Sequence, residues 1–155
     1  MQSWGFKLNG ESISALTCGA LSFPAFSGLN RYKNKANFQC LAENGPIPLG
    51  AYYIVHRESG GKLGWLREIW AANDKKDWFA LYAADGNIDD EMFCNSVKRG
   101  GFRLHPKGAF GISKGCVVVD KISDFQIVSR ILKNNKIEKI PGSDILTFGK
   151  LLVTR

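Results

Sequence analysis

Long apolar runs are missing from this 155-residue sequence, and none approaches the roughly 20 residues that a membrane-spanning helix needs. The first residues, Met1 to Lys7, also lack the basic-then-apolar order of a secretory signal peptide. These absences predict a domain that neither crosses a membrane nor leaves the cell through a signal peptide. A role outside the producing cell would therefore need another delivery route.

Motifs for metals and cofactors are missing as well. The four cysteines do not show the Cys-x-x-Cys spacing of zinc sites or thioredoxin-like redox sites. The acidic run 85–91 fails the calcium-loop pattern, because Asp90 stands where glycine is required and Ser96 where the closing glutamate is required. We therefore expect a solvated loop there, no metal and no cofactor.

Positive charge is what the chain has in excess. Lysine and arginine number 21 against 14 acidic residues, a net charge of +7, so the surface should attract nucleic acid, membrane surfaces or peptidoglycan. No helix-turn-helix, RNP-like or zinc-finger pattern is present, which argues against nucleic acid. With 45% hydrophobic and 23% charged residues, the composition is that of one globular domain over residues 1–155.

Short alternating segments predict a mainly β fold. Residues 3–17 read as a hairpin around a type I′ turn at Asn9-Gly10, and 18–45 as an irregular stretch. Further strands are predicted at residues 51–56 and 78–83, and residues 145–153 read as a closing strand or a pair of strands around Gly149. Residues 58–64 read as a loop, and 65–72 as either a strand or a short helix.

One helix is predicted in the C-terminal half, from Ser123 or Asp124 as its cap to about Asn134. Its apolar residues recur at helical spacing and are expected to pack on the core: Phe125, Val128, Ile131 and Leu132.

The most informative stretch is 100–120. A short apolar strand ends at His105, a β-branched strand begins after Cys116, and the loop between them, 106–115, is rich in glycine. If the two strands pair antiparallel as a hairpin, His105 and Cys116 become neighbours.

That pair has catalytic potential. A free thiol titrates near ~8.5, and an imidazole that accepts its proton makes it a nucleophile at neutral pH. Gly115 leaves room for an incoming carbonyl, and backbone N–H groups near Cys116 could stabilise an oxyanion. Five basic residues crowd the segment and would favour both a thiolate and an anionic substrate: Lys98, Arg99, Arg103, Lys107 and Lys114. The competing interpretation of Cys116 is a small buried hydrophobe.

Three sequence blocks carry a family resemblance. They are Gly45-Pro-Ile-Pro-Leu-Gly-Ala-Tyr52, Gly101-Phe-Arg-Leu-His105 and Ser113-Lys-Gly-Cys116. Together they resemble the L,D-transpeptidase-like Tlde1 family of type VI secretion toxins. The resemblance implies a β-sandwich-like catalytic core and an enzyme that modifies peptidoglycan stem peptides through an acyl-enzyme, as L,D-carboxypeptidase and as exchange transpeptidase with D-amino acids.

The resemblance also implies site residues. Cys116 would be the nucleophile, His105 the general base, and Gly115 part of the oxyanion site. Ser113 would orient the imidazole or bind substrate, with Gly108 beside it. Lys114 departs from the related L,D-transpeptidases, which often have histidine there and arginine shortly after the cysteine. Arg103 or Lys107 is therefore expected to contact the substrate carboxylate, with Lys114 lining the same site.

The implied biology follows from the same resemblance. We expect a monomer made in the cytoplasm, secreted by a type VI machine, active in the target-cell periplasm and neutralised by an immunity protein. In that oxidising compartment one disulfide could form among Cys18, Cys40 and Cys94, and the sequence does not choose the pair.

Other functions compete with this one. An NlpC-like amidase is the nearest enzymatic rival, but such enzymes place the cysteine before the histidine and at a helix start. A non-catalytic cell-wall binding module would explain the charge and aromatics without Cys116, and a nucleic-acid toxin would explain the charge alone. His56 is the other histidine in the chain and is predicted to be structural or exposed.

Overall fold

Short strands make up most of the computed structural model, which describes residues 1–57, 78–108 and 115–155. The strands are β1 (Ser3–Lys7), β2 (Ser14–Cys18), β3 (Leu21–Phe26), β4 (Gly50–His56), β5 (Phe79–Ala83), β6 (Glu91–Cys94), β7 (Val97–Gly100), β8 (Arg103–Pro106), β9 (Val117–Val119), β10 (Glu138–Lys139) and β11 (Leu146–Thr154). The described residues also contain an α-helix, α1 (Ile122–Asn134), and 3-10 turns at Asn30–Tyr32 and Ala36–Phe38. The predicted mainly β fold with a helix in the C-terminal half is confirmed.

Nine of these strands form one sheet that closes on itself. Their order is β1-β2-β3-β9-β8-β5-β4-β11-β10, and β1 returns to pair in parallel with β11. Inward side chains from both halves of this ring and from α1 meet in one hydrophobic core. The two halves therefore pack across a shared interior, as the layers of a sandwich do.

Alternation along the strands decides which side chains enter that core. In β1, Trp4 and Phe6 are buried, and in β11 every second residue is buried. Phe125 of α1 lies 6.3 Å from Phe79 between ring centroids, so the predicted apolar face of the helix is confirmed. The predicted caps are wrong: the N-cap is Lys121, without a side-chain cap hydrogen bond.

The N-terminal hairpin is confirmed, but its turn is not the predicted one. β1 and β2 pair antiparallel with Phe6 opposite Leu16, so the connection is longer than the two residues of a type I′ turn. Asn9 instead uses its side-chain oxygen to accept from the N–H of Glu11, and the N–H of Gly10 donates to the carbonyl of Asn34. The N–H of Gly10 is thus bonded by the loop at 27–49 and not by a residue of its own turn.

The stretch predicted to be irregular contains β3. This strand pairs with β2 on one side and with β9, more than 90 positions later, on the other. Pro24 lies within it and still serves the sheet, because its carbonyl accepts from the N–H of Asp120. The predicted loop at 58–64 and the ambiguous segment 65–72 lie outside the described residues.

The predicted hairpin at the central stretch is wrong. β8 and β9 lie side by side but run parallel, with Leu104 opposite Val117 and His105 opposite Val118. Their orientations are set by their other neighbours, since β8 is antiparallel to β5 and β9 is antiparallel to β3. Long-range pairing overrides the local hairpin pattern.

A second, two-stranded sheet is formed by β6 and β7. A disulfide between Cys40 and Cys94 ties this hairpin to the loop before β4 and resolves the open choice of cysteine pair. Cys18 and Cys116 are thiols. No helix within the described ranges is long and apolar enough to span a membrane.

Candidate active site

His105 and Cys116 lie on the same, outward face of the closed sheet. His105 is paired directly with Val118, and paired residues in neighbouring strands share a face. Cys116 precedes Val118 by two positions and belongs with it to one buried cluster. The intervening Val117 points the other way, into the main core. The imidazole and the thiol therefore lie on one side of the sheet because β8 and β9 are parallel neighbours, and not because they form the predicted antiparallel hairpin.

Trp78 joins the two side chains. Its indole stacks on the His105 imidazole, with centroids 4.3 Å apart and planes inclined by 16°. It also packs in the cluster of Cys116, Val118 and Phe26. Cys116 is 1% exposed and His105 is 3% exposed, so both groups are buried.

The ring of His105 is held in one tautomer. Nδ1 lies 2.7 Å from the carbonyl oxygen of Pro106, and because a carbonyl only accepts, Nδ1 carries the hydrogen. Nε2 is then the basic nitrogen of the neutral ring. Burial lowers the pKa of His105 to about 4, against the opposing pull of the Pro106 carbonyl and with help from the Arg103 charge. The imidazole is therefore neutral at pH 7.

The first two sequence blocks contact each other. The Tyr52 hydroxyl donates to the carbonyl of Pro48, and its ring meets Phe102 edge-to-face at 5.9 Å. Arg99 donates to the carbonyls of Gly45 and Pro46, each at 3.1 Å. The proline-rich bend is therefore held against Arg99, and its residues 45–48 are buried.

Gly115 joins the third block to the other two. Its φ of +86° lies in the left-handed region that favours glycine. A Cβ at this position would lie 2.6 Å from Nη2 of Arg99 and 2.7 Å from the ring of Phe102. The space beside Gly115 is thus filled by the side chains of Arg99 and Phe102.

A family comparison agrees with this convergence. The Tlde1 domain matches residues 22–143, which include all three blocks. The chain belongs to the Tlde1 domain family. Membership relates it to the effectors of type VI secretion systems. No curated protein matches the chain.

Arg103 in this Tlde1 domain does not occupy the position expected of a substrate-binding residue. Its side chain is fully buried and donates to both carboxylate oxygens of Asp90, at 2.8 and 2.7 Å. A further bond goes to the carbonyl of Phe102. Arg103 is therefore paired with a carboxylate of the protein itself, and Asp90 is a buried partner rather than a solvated loop residue. The contact of Arg103 with a substrate carboxylate stays a prediction.

The remaining predicted residues fall into two groups. Lys107 is exposed and forms a surface ion pair with Asp120 at 3.5 Å, and Gly108 follows it, half-buried. Ser113 and Lys114 lie outside the described residues. His56 ends β4 and is exposed.

Metal ligation has no obvious site in what the structure describes. Within residues 1–57, 78–108 and 115–155, no three histidine, cysteine or acidic side chains are grouped to hold an ion. The acidic run instead uses its side chains locally, with Asp85 and Asp89 accepting backbone N–H bonds two residues ahead.

Sequence reasoning did not predict two residues that lie near the candidate site. Trp78 stacks on His105 because it directly precedes β5, the strand paired with β8. Lys33 places its ammonium 4.4 Å from the ring centroid of Phe26, which borders Cys116. Neither has a local signal, because each reaches the site through strand pairing or loop folding over long sequence distances.

Proposed function

We propose that this Tlde1 domain is a cysteine-dependent L,D-carboxypeptidase and L,D-transpeptidase that acts on peptidoglycan stem tetrapeptides. The observation that supports it best is the placement of Cys116 and His105 on one face against Trp78, with the imidazole fixed by the Pro106 carbonyl. A nucleophile, a base and a group that orients the base are the parts of a covalent peptidase site.

The reaction proceeds in two halves. Sγ of Cys116 attacks the carbonyl carbon of the L,D linkage while Nε2 of His105 accepts the thiol proton. The C–N bond then breaks, His105 returns the proton to the departing D-amino acid, and a thioester remains on Cys116. Water resolves it to a tripeptide carboxylate, whereas the amine of a free D-amino acid resolves it to an exchanged tetrapeptide. Backbone N–H groups at Gly115 and Cys116 would stabilise the oxyanion.

The substrate side of the proposal rests on fewer residues. Arg103 is bound to Asp90, whereas Lys107 is exposed and lies beside β8 and β9. Of these two residues, Lys107 is therefore the better candidate to bind the stem-peptide carboxylate. Because Cys116 is buried, a peptide reaches Sγ only when the groups covering it move aside. No cofactor enters the reaction.

The biological setting completes the proposal. A type VI machine would deliver the domain as a monomer from the producing cytoplasm to the target periplasm, and an immunity protein would neutralise it there. The Cys40–Cys94 disulfide supports this setting, because disulfides persist in oxidising compartments and are rare in the cytoplasm.

Purified sacculi provide the test. Wild-type protein should convert tetrapeptides to tripeptides in muropeptide analysis, and added D-amino acids should appear in exchanged stems. Cys116→Ala and His105→Ala should each lose at least about a thousandfold in rate, because they remove the nucleophile and the base. His56→Ala is the matched control, an exposed histidine outside the site, and should retain full activity.

Three outcomes would reject the proposal. Undiminished turnover by Cys116→Ala would remove the nucleophile, and cleavage elsewhere in the stem would indicate an amidase. Unchanged muropeptides with retained binding to sacculi would indicate a cell-wall binding module.

A further inference from the structure

Arg99 is a buried cation held almost entirely by neutral groups. It lies on β7 with 4% of its surface exposed. Its guanidinium donates to the carbonyls of Gln39, Gly45 and Pro46 and lies 5.4 Å from the ring centroid of Phe102. Among the described residues, no carboxylate is within ion-pair distance of it. A buried charge without a counter-charge costs several kcal/mol, so an anion close to Arg99 would be favoured.

The position of Arg99 identifies that anion. Nη2 lies where a Cβ of Gly115 would almost touch it, at 2.6 Å, so the guanidinium borders the peptide unit that leads directly into Cys116. Burial lowers the pKa of Arg99, whereas negative charge on Tyr52 and on Cys116 raises it. Arginine stays protonated in proteins despite such burial, so the positive charge persists.

The neutral state of His105 makes this charge necessary. In many thiol enzymes an imidazolium next to the sulfur stabilises the thiolate. Here burial keeps His105 uncharged at pH 7, so the imidazole accepts a proton but contributes no standing positive charge. Among the described residues, the other charges near the cluster are weaker candidates, because Arg103 is already paired with Asp90 and Lys33 lies half-buried over Phe26.

We propose that Arg99 is the fixed counter-cation of the Cys116 thiolate and thereby a positioning residue of the site. This inference rests on the proposed function only in taking Cys116 as the nucleophile. The three carbonyls hold the guanidinium rigidly, and Gly115 lets it approach the sulfur-bearing residue. Exposed cations such as Lys98, with 59% of its side chain accessible, are screened by water and salt and cannot replace it.

The test is a titration of Cys116 in folded protein. Thiolate formation is followed by ultraviolet absorbance in a Cys18→Ser background, with the matched Cys116→Ser protein subtracted. In Arg99→Gln the thiol pKa should rise by about one unit or more, which lowers the thiolate fraction at pH 7 about tenfold. Arg99→Lys should restore most of the difference, and Lys98→Gln, which removes an exposed cation from the same strand, should leave the thiol pKa within a few tenths of the wild-type value.

An unchanged thiol pKa in folded Arg99→Gln would overturn the inference. If that variant does not fold, a measurement on the wild-type protein tests the inference instead. The guanidinium nitrogen resonances of Arg99 should shift with the titration of Cys116 and lose that shift in Cys116→Ser. Resonances that ignore Cys116 would overturn the inference.

Neither measurement uses peptidoglycan, so the two proposals can fail separately. Thiol–guanidinium coupling in a protein that leaves sacculi unchanged would reject the proposed function and keep the inference. Turnover of sacculi without that coupling would support the proposed function and overturn the inference about Arg99.

Discussion

Gly115 is under two separate constraints, a left-handed backbone and a Cβ position already filled by Arg99 and Phe102. We predict that Gly115→Ala lowers the free energy of unfolding by about 2 kcal/mol or more, since backbone strain adds to a steric clash. It should also reduce turnover, because Arg99 must retreat from Cys116. Urea unfolding and the sacculus assay measure the two effects.

Gly142 offers the matched control. Its φ is +78°, similar to that of Gly115, but nothing lies within 4 Å of its Cβ position. Gly142→Ala should therefore show backbone strain alone, about 1 kcal/mol, with turnover unchanged. Equal costs at the two glycines would contradict the contact between Gly115 and Arg99.

His105 predicts a pH dependence of stability. Its pKa is lowered to about 4 by burial, whereas an unfolded chain gives about 6.5, so between these values the unfolded state binds more protons. The stabilisation is fully present above pH 6.5 and is lost as pH falls towards 4, by up to about 3 kcal/mol. The free energy of unfolding, measured by urea titration across that window, should decline less steeply in His105→Gln.

His56→Gln is the comparison for this experiment, because His56 is exposed. Its pH profile should follow the wild type. A wild-type profile that coincides with that of His105→Gln would mean that the buried imidazole does not resist protonation.

At the level of elements, the β6–β7 hairpin is fastened to the loop before β4 twice, by the Cys40–Cys94 disulfide and by Arg99. The disulfide closes a separation of 54 positions, for which chain entropy predicts about 4 kcal/mol of stabilisation. Replacing both cysteines with serine should lower the urea midpoint by an amount that corresponds to this free energy. It should also leave the Arg99 side chain less firmly held against the loop.

Cys18→Ser is the control, since Cys18 is a half-buried thiol outside the disulfide. Its midpoint should stay close to that of the wild type. If the double variant also kept the wild-type midpoint, the link between hairpin and loop would be dispensable.

Elements with strong local alternation could be predicted from sequence, and their pairing could not. β4, β5 and α1 were identified within one or two residues because each carries its own hydrophobic period. The direction of β9 relative to β8 depends on β3 and β5, which lie far away in the chain. In the same way the motifs drew attention to Cys116 and His105 but gave no sign of the Arg103–Asp90 pair, which depends on long-range packing.

At the scale of the whole molecule, the sheet is closed by strands outside the family match. β1 pairs with β11 over five positions, and β11 pairs with β4, yet the match spans only 22–143. We predict that a fragment of residues 22–143 lacks a cooperative unfolding transition, because β3 and β4 each lose a neighbour. Thermal unfolding followed by circular dichroism, with the 155-residue chain alongside, measures this.

A sharp transition in that fragment, with dispersed amide resonances, would show that closure is unnecessary. Addition of a separate peptide covering β11 should instead rescue structure in part, if the open edge of β4 is the defect.

The strands that carry the candidate site present opposite kinds of residue on their two sides. Leu104, Val117 and Val119 point into the shared interior, and His105 and Cys116 point outward. Alternate positions of the same short strands thus serve the candidate site and the hydrophobic core. Substitutions at the outward positions can therefore change the chemistry of the candidate site while the inward positions continue to specify the closed sheet.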